Sequence, residues 1–178
     1  ERWNEVKVSD AAKRIGVSTK SASRCFDELE YLNIDVLGMK GKSRVINIPN
    51  DRKQVWQQIE NVLRNPVIRR FVLREDMKLE KKAGISALCE YSLLSDNVYP
   101  TYAVTKKELK DSAVKVEKQV SELEEIGCVV LELGYFIDFL GKGFQDPLSV
   151  VLSLTGEEQE EERVDISINE MLEEYVWS

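Results

Sequence analysis

The pattern of apolar and polar positions is most regular between residues 6 and 48. Residues 8–15 predict a short helix, residues 16–18 a tight turn, and residues 19–32 a second helix. The second helix has apolar residues at intervals of three and four, so one of its faces is expected to pack inward. These apolar residues are Ala22, Cys25, Phe26, Leu29 and Leu32.

Polar residues with defined conformational roles mark the ends of these two helices. Ser9 and Ser18 precede helical patterns, and a serine side chain at that position accepts a hydrogen bond from the first helical turn. Gly16 falls where the connecting turn needs a positive φ, a conformation that costs glycine little. The segment therefore predicts a helix-turn-helix.

Two short β patterns follow the second helix. Residues 34–37 and 44–48 predict strands joined by the loop 38–43, in which Gly38 and Gly41 allow a sharp turn. The tip of this hairpin carries three basic side chains within five residues. A helix-turn-helix followed by a basic hairpin predicts a winged helix, in which one helix enters the major groove of DNA beside a β-ribbon.

The rest of the chain predicts further helices and strands. Helices are expected from a cap at Asn50 or Asp51 to about residue 64, over 85–94, after Asp146, and from the acidic run 157–162 to about Trp177. The last of these helices is expected to bury Val164, Ile168, Met171, Leu172 and Tyr175. Strands are expected over 98–104, as an edge strand around Pro100, and over 128–133, after Gly127 ends the preceding segment. Residues 67–73 suit either a strand or a helical turn, and residues 106–126 suit either type of element.

These elements predict the α+β fold class, with a winged helix-turn-helix followed by a small mixed α/β domain. The charged stretch 74–82 is the expected boundary. It separates a DNA-binding domain over 1–74, with its following helix, from an acidic domain over 83–178 for partner binding, sensing or oligomerisation.

Charge is divided unevenly between the two parts of the chain, whose formal net charge is −7. Residues 1–82 contain 18 basic and 12 acidic residues, a balance of +6, whereas residues 83–178 contain 7 and 20, a balance of −13. A basic part joined to an acidic part is typical of a polyanion-binding module attached to a different function.

Composition excludes several kinds of chemistry. The chain has no histidine, which removes Ser-His-Asp and Cys-His catalysis and histidine metal sites, so neither an enzyme nor a cofactor or metal is expected. A nuclease would need carboxylates and a lysine around a metal, and the spacing of Asp111, Glu132 and Lys142 does not single them out. Widely spaced cysteines, without a CxxC pair, predict reduced and buried thiols in a cytoplasmic protein: Cys25, Cys89 and Cys128. No apolar run approaches the ~20 residues that span a bilayer, so no membrane partner is expected.

The residues expected to bind DNA are hydroxyl and cationic side chains. Those on the second helix and its cap are Ser18, Thr19, Lys20, Ser21, Ser23 and Arg24, and those on the hairpin are Lys40, Lys42, Ser43 and Arg44. Such side chains reach phosphates and base edges. Three carboxylates come later in the same helix, so only its first two turns are expected to approach DNA: Asp27, Glu28 and Glu30.

Residues 8–24 resemble the recognition region of MarR-like winged-helix transcriptional regulators. The resemblance implies a sequence-specific regulator, expected to be a repressor, that binds palindromic double-stranded DNA as a homodimer. It places Ser18, Thr19, Lys20, Ser21 and Arg24 at recognition-helix positions and Lys40, Lys42 and Arg44 in the wing. A winged helix normally has a helix before its first strand, and only residues 1–5 precede Val6, so either the chain is a piece of a longer protein or a later helix takes that place.

Residues 84–94 and the strand at 99–104 are similar to the start of the C-terminal domain of abortive-infection type IV antitoxins. Those proteins also join a winged helix to an α/β domain, and they repress their own operon. The resemblance supports an alternative function, an antitoxin-like module whose acidic half neutralises a basic protein partner. Both functions are compatible with one chain.

Overall fold

The computed structural model describes residues 5–47, 49, 51–111 and 126–178, and the chain forms two compact units that divide between Leu63 and Arg64. Each unit contains helices and a three-stranded sheet, so the fold is mixed α+β, as predicted. The boundary lies before the charged stretch 74–82 because residues 67–73 form a strand that pairs within the second unit.

The first unit has two adjacent helices and a small antiparallel sheet. Its elements are β1 (Val6–Lys7), α1 (Val8–Ile15), α2 (Thr19–Tyr31), β2 (Leu37–Lys40), β3 (Ser43–Ile46) and α3 (Arg52–Ile59), which a 3₁₀ turn extends (Glu60–Val62). The strand order is β1-β3-β2, so the first strand of the chain pairs with the last strand of the hairpin. Both hairpin strands lie closer to the turn than the sequence predicted. Between β2 and β3 only Gly41 and Lys42 remain as the turn.

The turn between α1 and α2 forms as predicted. Gly16 ends α1 in the left-handed region with φ of 70°, and the Ser21 backbone N–H donates a 3.0 Å hydrogen bond to the Ser18 side chain. Ser18 is therefore the N-cap of α2. α1 has its predicted bounds, but the prediction that Ser9 is its N-cap is wrong. Ser9 lies inside the helix, and the N-cap, Lys7, has no side-chain capping bond.

The buried side of α2 is narrower than its apolar pattern predicted. Phe26 is 1% exposed and packs with Val6 and Ala11. Ala22 is buried one helical turn earlier, but Cys25 is exposed and Leu32 is 39% exposed. Helical periodicity shows which side of α2 is apolar but not how much of that side its neighbours cover. α1 and the three short strands leave part of it exposed to solvent. The prediction that all three cysteines are buried is wrong for Cys25, whereas Cys89 is half-buried and Cys128 is buried.

α3 is shorter than the sequence predicted. Trp56 is buried, but Val62 and Leu63 are exposed, and the α-helix ends at Ile59 instead of near residue 64. Asp51 is the N-cap, and its carboxylate accepts a 2.9 Å hydrogen bond from the Gln54 backbone N–H.

The second unit surrounds its sheet with short helices. Its elements are β4 (Val67–Leu73), α4 (Gly84–Leu88), β5 (Thr101–Thr105), α5 (Lys106–Asp111), β6 (Cys128–Leu133), α6 (Pro147–Ser153), α7 (Gly156–Glu160) and α8 (Glu162–Leu172), which a π-helical turn extends (Glu173–Trp177). The strand order is β4-β6-β5, with β4 antiparallel and β5 parallel to β6. Residues 67–73, for which the sequence allowed a strand or a helical turn, form a strand. Residues 106–126 allowed either type of element, and they begin with helix α5. Residues 112–125 lie outside the described residues.

The predicted strands of the second unit are confirmed. All six residues of β6 are buried, as expected for the central strand of a small sheet. β5 lies at the edge of the sheet, as the sequence around Pro100 predicted, although it begins at Thr101. The backbone N–H groups of Ala83 and Ala103 bond to Thr101 and Lys81, so a neighbouring segment covers this edge.

The helix predicted over 85–94 is shorter than the sequence indicated. α4 ends at Leu88 because the Ser92 hydroxyl donates to the Leu88 carbonyl and accepts from the Leu94 N–H, a local arrangement that competes with the helix. Leu93, beyond the end of this helix, is fully exposed. The helix after Asp146 forms as predicted, with the Asp146 carboxylate accepting a 3.2 Å bond from the Ser149 N–H.

The predicted C-terminal helix is interrupted. Glu161 has extended backbone geometry, so α7 ends there and α8 begins after it. Four of the predicted core residues of this helix are buried: Val164, Ile168, Met171 and Leu172. Tyr175 is 39% exposed, and the prediction of burial is wrong for it.

The Glu108 carboxylate is stabilised in its charged form at the start of α5. Lys81 Nζ lies 2.5 Å from Glu108 Oε1, and the Thr105 N–H and hydroxyl donate to Oε2 at 2.8 Å and 2.9 Å. These bonds lower the pKa of Glu108 from 4.5 to about 2, and the bond from Lys81 has the largest effect.

Glu108→Gln is expected to destabilise the protein at neutral pH by at most about 1 kcal/mol, since the ion pair is partly exposed. Because the folded-state pKa lies below the unfolded value, the stabilisation is present above about pH 4.5 and is lost as the pH falls towards 2. Urea unfolding at neutral and acidic pH measures this, and the difference between the two proteins should shrink in acid. A difference that is the same at every pH would contradict this assignment.

Helices able to cross a membrane, judged by both length and apolar character, do not occur in the described ranges.

Candidate nucleic-acid interface

The first two turns of α2 present hydroxyl and cationic side chains to solvent. Thr19, Lys20, Ser21 and Arg24 are exposed, and Ser23 is half-buried. Lys20 and Arg24 are one helical turn apart and so share a face. In the part of the chain that the structure describes, neither of these two cations forms an ion pair.

Arg44 places the β2–β3 hairpin beside this face of α2. Its Nη2 donates a 3.1 Å hydrogen bond to Ser23 Oγ, and its Nη1 lies 2.6 Å from Asp27 Oδ1 and 3.3 Å from Glu30 Oε2. The guanidinium also lies over the Phe26 ring, 6.0 Å from its centre. Since residues 20, 23, 24 and 27 follow helical spacing, the hairpin lies next to the cations of the first two turns.

The carboxylate of Asp27 raises the pKa of Arg44, mainly through its hydrogen bond, with a smaller contribution from Glu30. Arg44 is therefore already paired with carboxylates. From the sequence, Arg44 was expected to bind DNA phosphate, and Asp27 and Glu30 were expected to repel it. In the structure, Arg44 forms ion pairs with both carboxylates.

The other cations of the hairpin differ in their surroundings. Lys40 Nζ lies 3.0 Å from Glu5 Oε1, so its charge is compensated. Lys42 is exposed in the two-residue turn, beside Gly41 with φ of 63°, and forms no ion pair with any described residue. Of the described cations predicted to bind DNA, those that are exposed and lack a carboxylate partner are Lys20, Arg24 and Lys42, which we call the cationic surface.

The hydroxyl groups at the start of α2 are partly committed to the fold. Ser18 Oγ lies 2.9 Å from Ser21 Oγ and also accepts the capping bond from the Ser21 N–H. Thr19 and Ser43 are exposed beside the cations. The positive end of the α2 dipole adds to the attraction of this region for anions.

The ion pairs of Arg44 are the feature that the sequence reasoning missed. Asp27 and Glu30 lie three residues apart and therefore on one face of the helix, so the signal was present in the spacing. Their partner, however, is 14 residues beyond Glu30, and only the fold of the hairpin shows which basic side chain reaches them.

The second unit presents carboxylates rather than cations on its last helices. The exposed acidic residues of this region are Glu157, Glu160, Glu161, Glu162, Asp165, Glu170, Glu173 and Glu174. Arg163 is the single basic residue among them, and it pairs with Glu161. This surface is unsuited to DNA phosphates, whereas a basic partner would complement it.

Two of the three residues considered for a nuclease site, Glu132 and Lys142, have other contacts. Glu132 is 2% exposed and accepts a hydrogen bond from Arg69 Nε, and Lys142 Nζ lies over the Phe139 ring. Among the described residues, no group of three or more potential ligands is arranged to hold a metal ion.

Comparison of the chain with protein-family models, curated proteins and solved structures finds no match.

Proposed function

We propose that the first unit is a winged helix-turn-helix that binds double-stranded DNA, and that the protein is a transcriptional regulator. The observation that carries this proposal is the cationic surface on the first two turns of α2 and on the tip of the adjacent hairpin. The element order β1-α1-α2-β2-β3 and the strand order β1-β3-β2 support the winged-helix assignment.

In this proposal the N-terminal half of α2 enters the major groove, which is about 12 Å wide and admits a helix. Lys20 contacts phosphate, and Arg24, one turn further along, reaches a base edge or a second phosphate. Lys42 contacts the backbone beside the groove from the hairpin. The C-terminal half of α2 stays away from the duplex because its carboxylates outnumber its cations there.

The salt dependence of duplex binding tests this proposal. Three unpaired cations predict that the logarithm of the binding constant falls with the logarithm of salt concentration with a slope of about −2.7 for each copy bound. The binding constant should then fall about 40-fold between about 50 and 200 mM salt. Fluorescence anisotropy with labelled duplex DNA measures the slope. Absence of binding at the lowest salt, or a slope near zero, would contradict the proposal.

A second candidate function, neutralisation of a basic protein partner, is favoured by the exposed carboxylates of α7 and α8. Co-expression with the product of a neighbouring gene tests it. A complex that Glu162→Gln and Asp165→Asn weaken would support this function, and the same changes should leave DNA binding intact. If the unaltered protein and this variant bind the partner equally well, these two carboxylates have no role in the complex.

A further inference from the structure

We infer that Asp27 and Glu30 compete with DNA phosphates for Arg44, so that this guanidinium contributes to DNA binding only after it leaves the two carboxylates. The inference rests on the proposed DNA-binding function and concerns its regulation. It assigns to the acidic half of α2 a role as an internal competitor that limits affinity for DNA.

The contacts of Arg44 make such an exchange feasible. Its side chain is 31% exposed, and those of Asp27 and Glu30 are 59% and 70% exposed. Ion pairs with this much solvent around both carboxylates are weak, so an anion of higher charge density can replace them. A guanidinium binds phosphate through the same parallel N–H groups that it offers to carboxylates.

The position of Arg44 places this exchange at the proposed DNA surface. The hydrogen bond to Ser23 holds the guanidinium within one helical turn of Lys20 and Arg24. A duplex that contacts the cationic surface therefore brings its phosphates close to Arg44. In the free protein, Arg44 with its two carboxylates has a net charge of −1, which repels phosphate instead of attracting it.

The inference predicts a specific interaction between substitutions. In the unaltered protein the two carboxylates retain Arg44 in most bound molecules, so the slope stays near the value for three cations. Asp27→Asn with Glu30→Gln frees Arg44, which should add one phosphate contact and steepen the salt slope by about 0.9. When Arg44→Ala is already present, the same pair of changes should raise the affinity only through the general change in charge. The salt slope should then equal that of Arg44→Ala alone. The measurement is fluorescence anisotropy with a mixed-sequence duplex at several salt concentrations.

Glu28→Gln is the control for the general effect of neutralising one carboxylate on this helix. Glu28 is exposed on the same helix, but its carboxylate makes no ion pair with a described residue. Its neutralisation should raise affinity slightly and leave the slope unchanged. All the changes lie at exposed or partly exposed side chains, so circular dichroism should show that each variant is folded.

The possible failures are distinguishable. If the unaltered protein binds duplex DNA but Asp27→Asn with Glu30→Gln has the same slope with and without Arg44, the competition is refuted and the proposed function stands. If neither the unaltered protein nor any variant binds duplex DNA at low salt, both are refuted.

Discussion

Replacing Lys20 and Arg24 together by alanine is expected to weaken duplex DNA binding about 10- to 100-fold at moderate salt. Both side chains are exposed on one face of α2 and form no ion pair with the residues that the structure describes. Their removal therefore costs the fold little, within about 0.5 kcal/mol, and the loss of affinity reports on DNA contacts. The salt slope should flatten by about 1.8 for each copy bound.

A matched pair of lysines in the second unit provides the control. Lys106 and Lys107 are exposed, and replacing both by alanine removes the same charge from the molecule. This control should change affinity only slightly, because screening limits long-range attraction to about 8 Å at physiological salt. An equal loss of affinity in both double variants would show that net charge, rather than the cationic surface, governs binding.

Gly127→Ala is expected to destabilise the second unit by about 3 kcal/mol or more. A Cβ atom at this position would lie 2.3 Å from the Arg74 carbonyl oxygen and 2.6 Å from the Glu75 carbonyl carbon. Both are backbone atoms at the end of β4, and the Gly127 N–H also donates a 2.8 Å bond to the Leu73 carbonyl. The side chain could be accommodated only by a shift of the backbone at Gly127 or at Arg74 and Glu75.

Gly156→Ala is the control for this substitution. Gly156 lies in α7, and a Cβ atom there has no neighbour within 4 Å, so alanine should be neutral or stabilising by up to about 1 kcal/mol. Urea denaturation followed by circular dichroism compares the two variants. If Gly127→Ala unfolds at the same urea concentration as the unaltered protein, the close packing of residue 127 on β4 is wrong.

The sequence predicted local elements best where one residue determines the backbone. Gly16, Ser18 and Asp146 have their roles in the turn and the N-caps that were expected of them. The strand over 128–133 was predicted with its observed bounds, because a short run of β-branched and apolar residues after a glycine has few other conformations.

The width of buried faces and the pairing of charges could not be predicted in the same way. Helical periodicity placed Cys25 and Leu32 on an inward face, but burial depends on how much surface the neighbouring elements cover. Gly127 was read as the end of a segment, whereas the structure shows a close approach to β4. The sequence proposed residues for the candidate site from their side-chain types. Which of these cations pair with carboxylates could be seen only from the folded position of the hairpin.

The most direct test of the DNA-binding surface is a titration of the isotope-labelled protein with duplex DNA, followed by NMR. We expect the backbone amide signals of residues 19–24 and of the hairpin turn at 41–43 to shift most. Signals from β5 and β6 in the second unit should remain unchanged. Shifts confined to the second unit, or no shifts at low salt, would contradict the assignment of α2 and the hairpin as the DNA-binding surface.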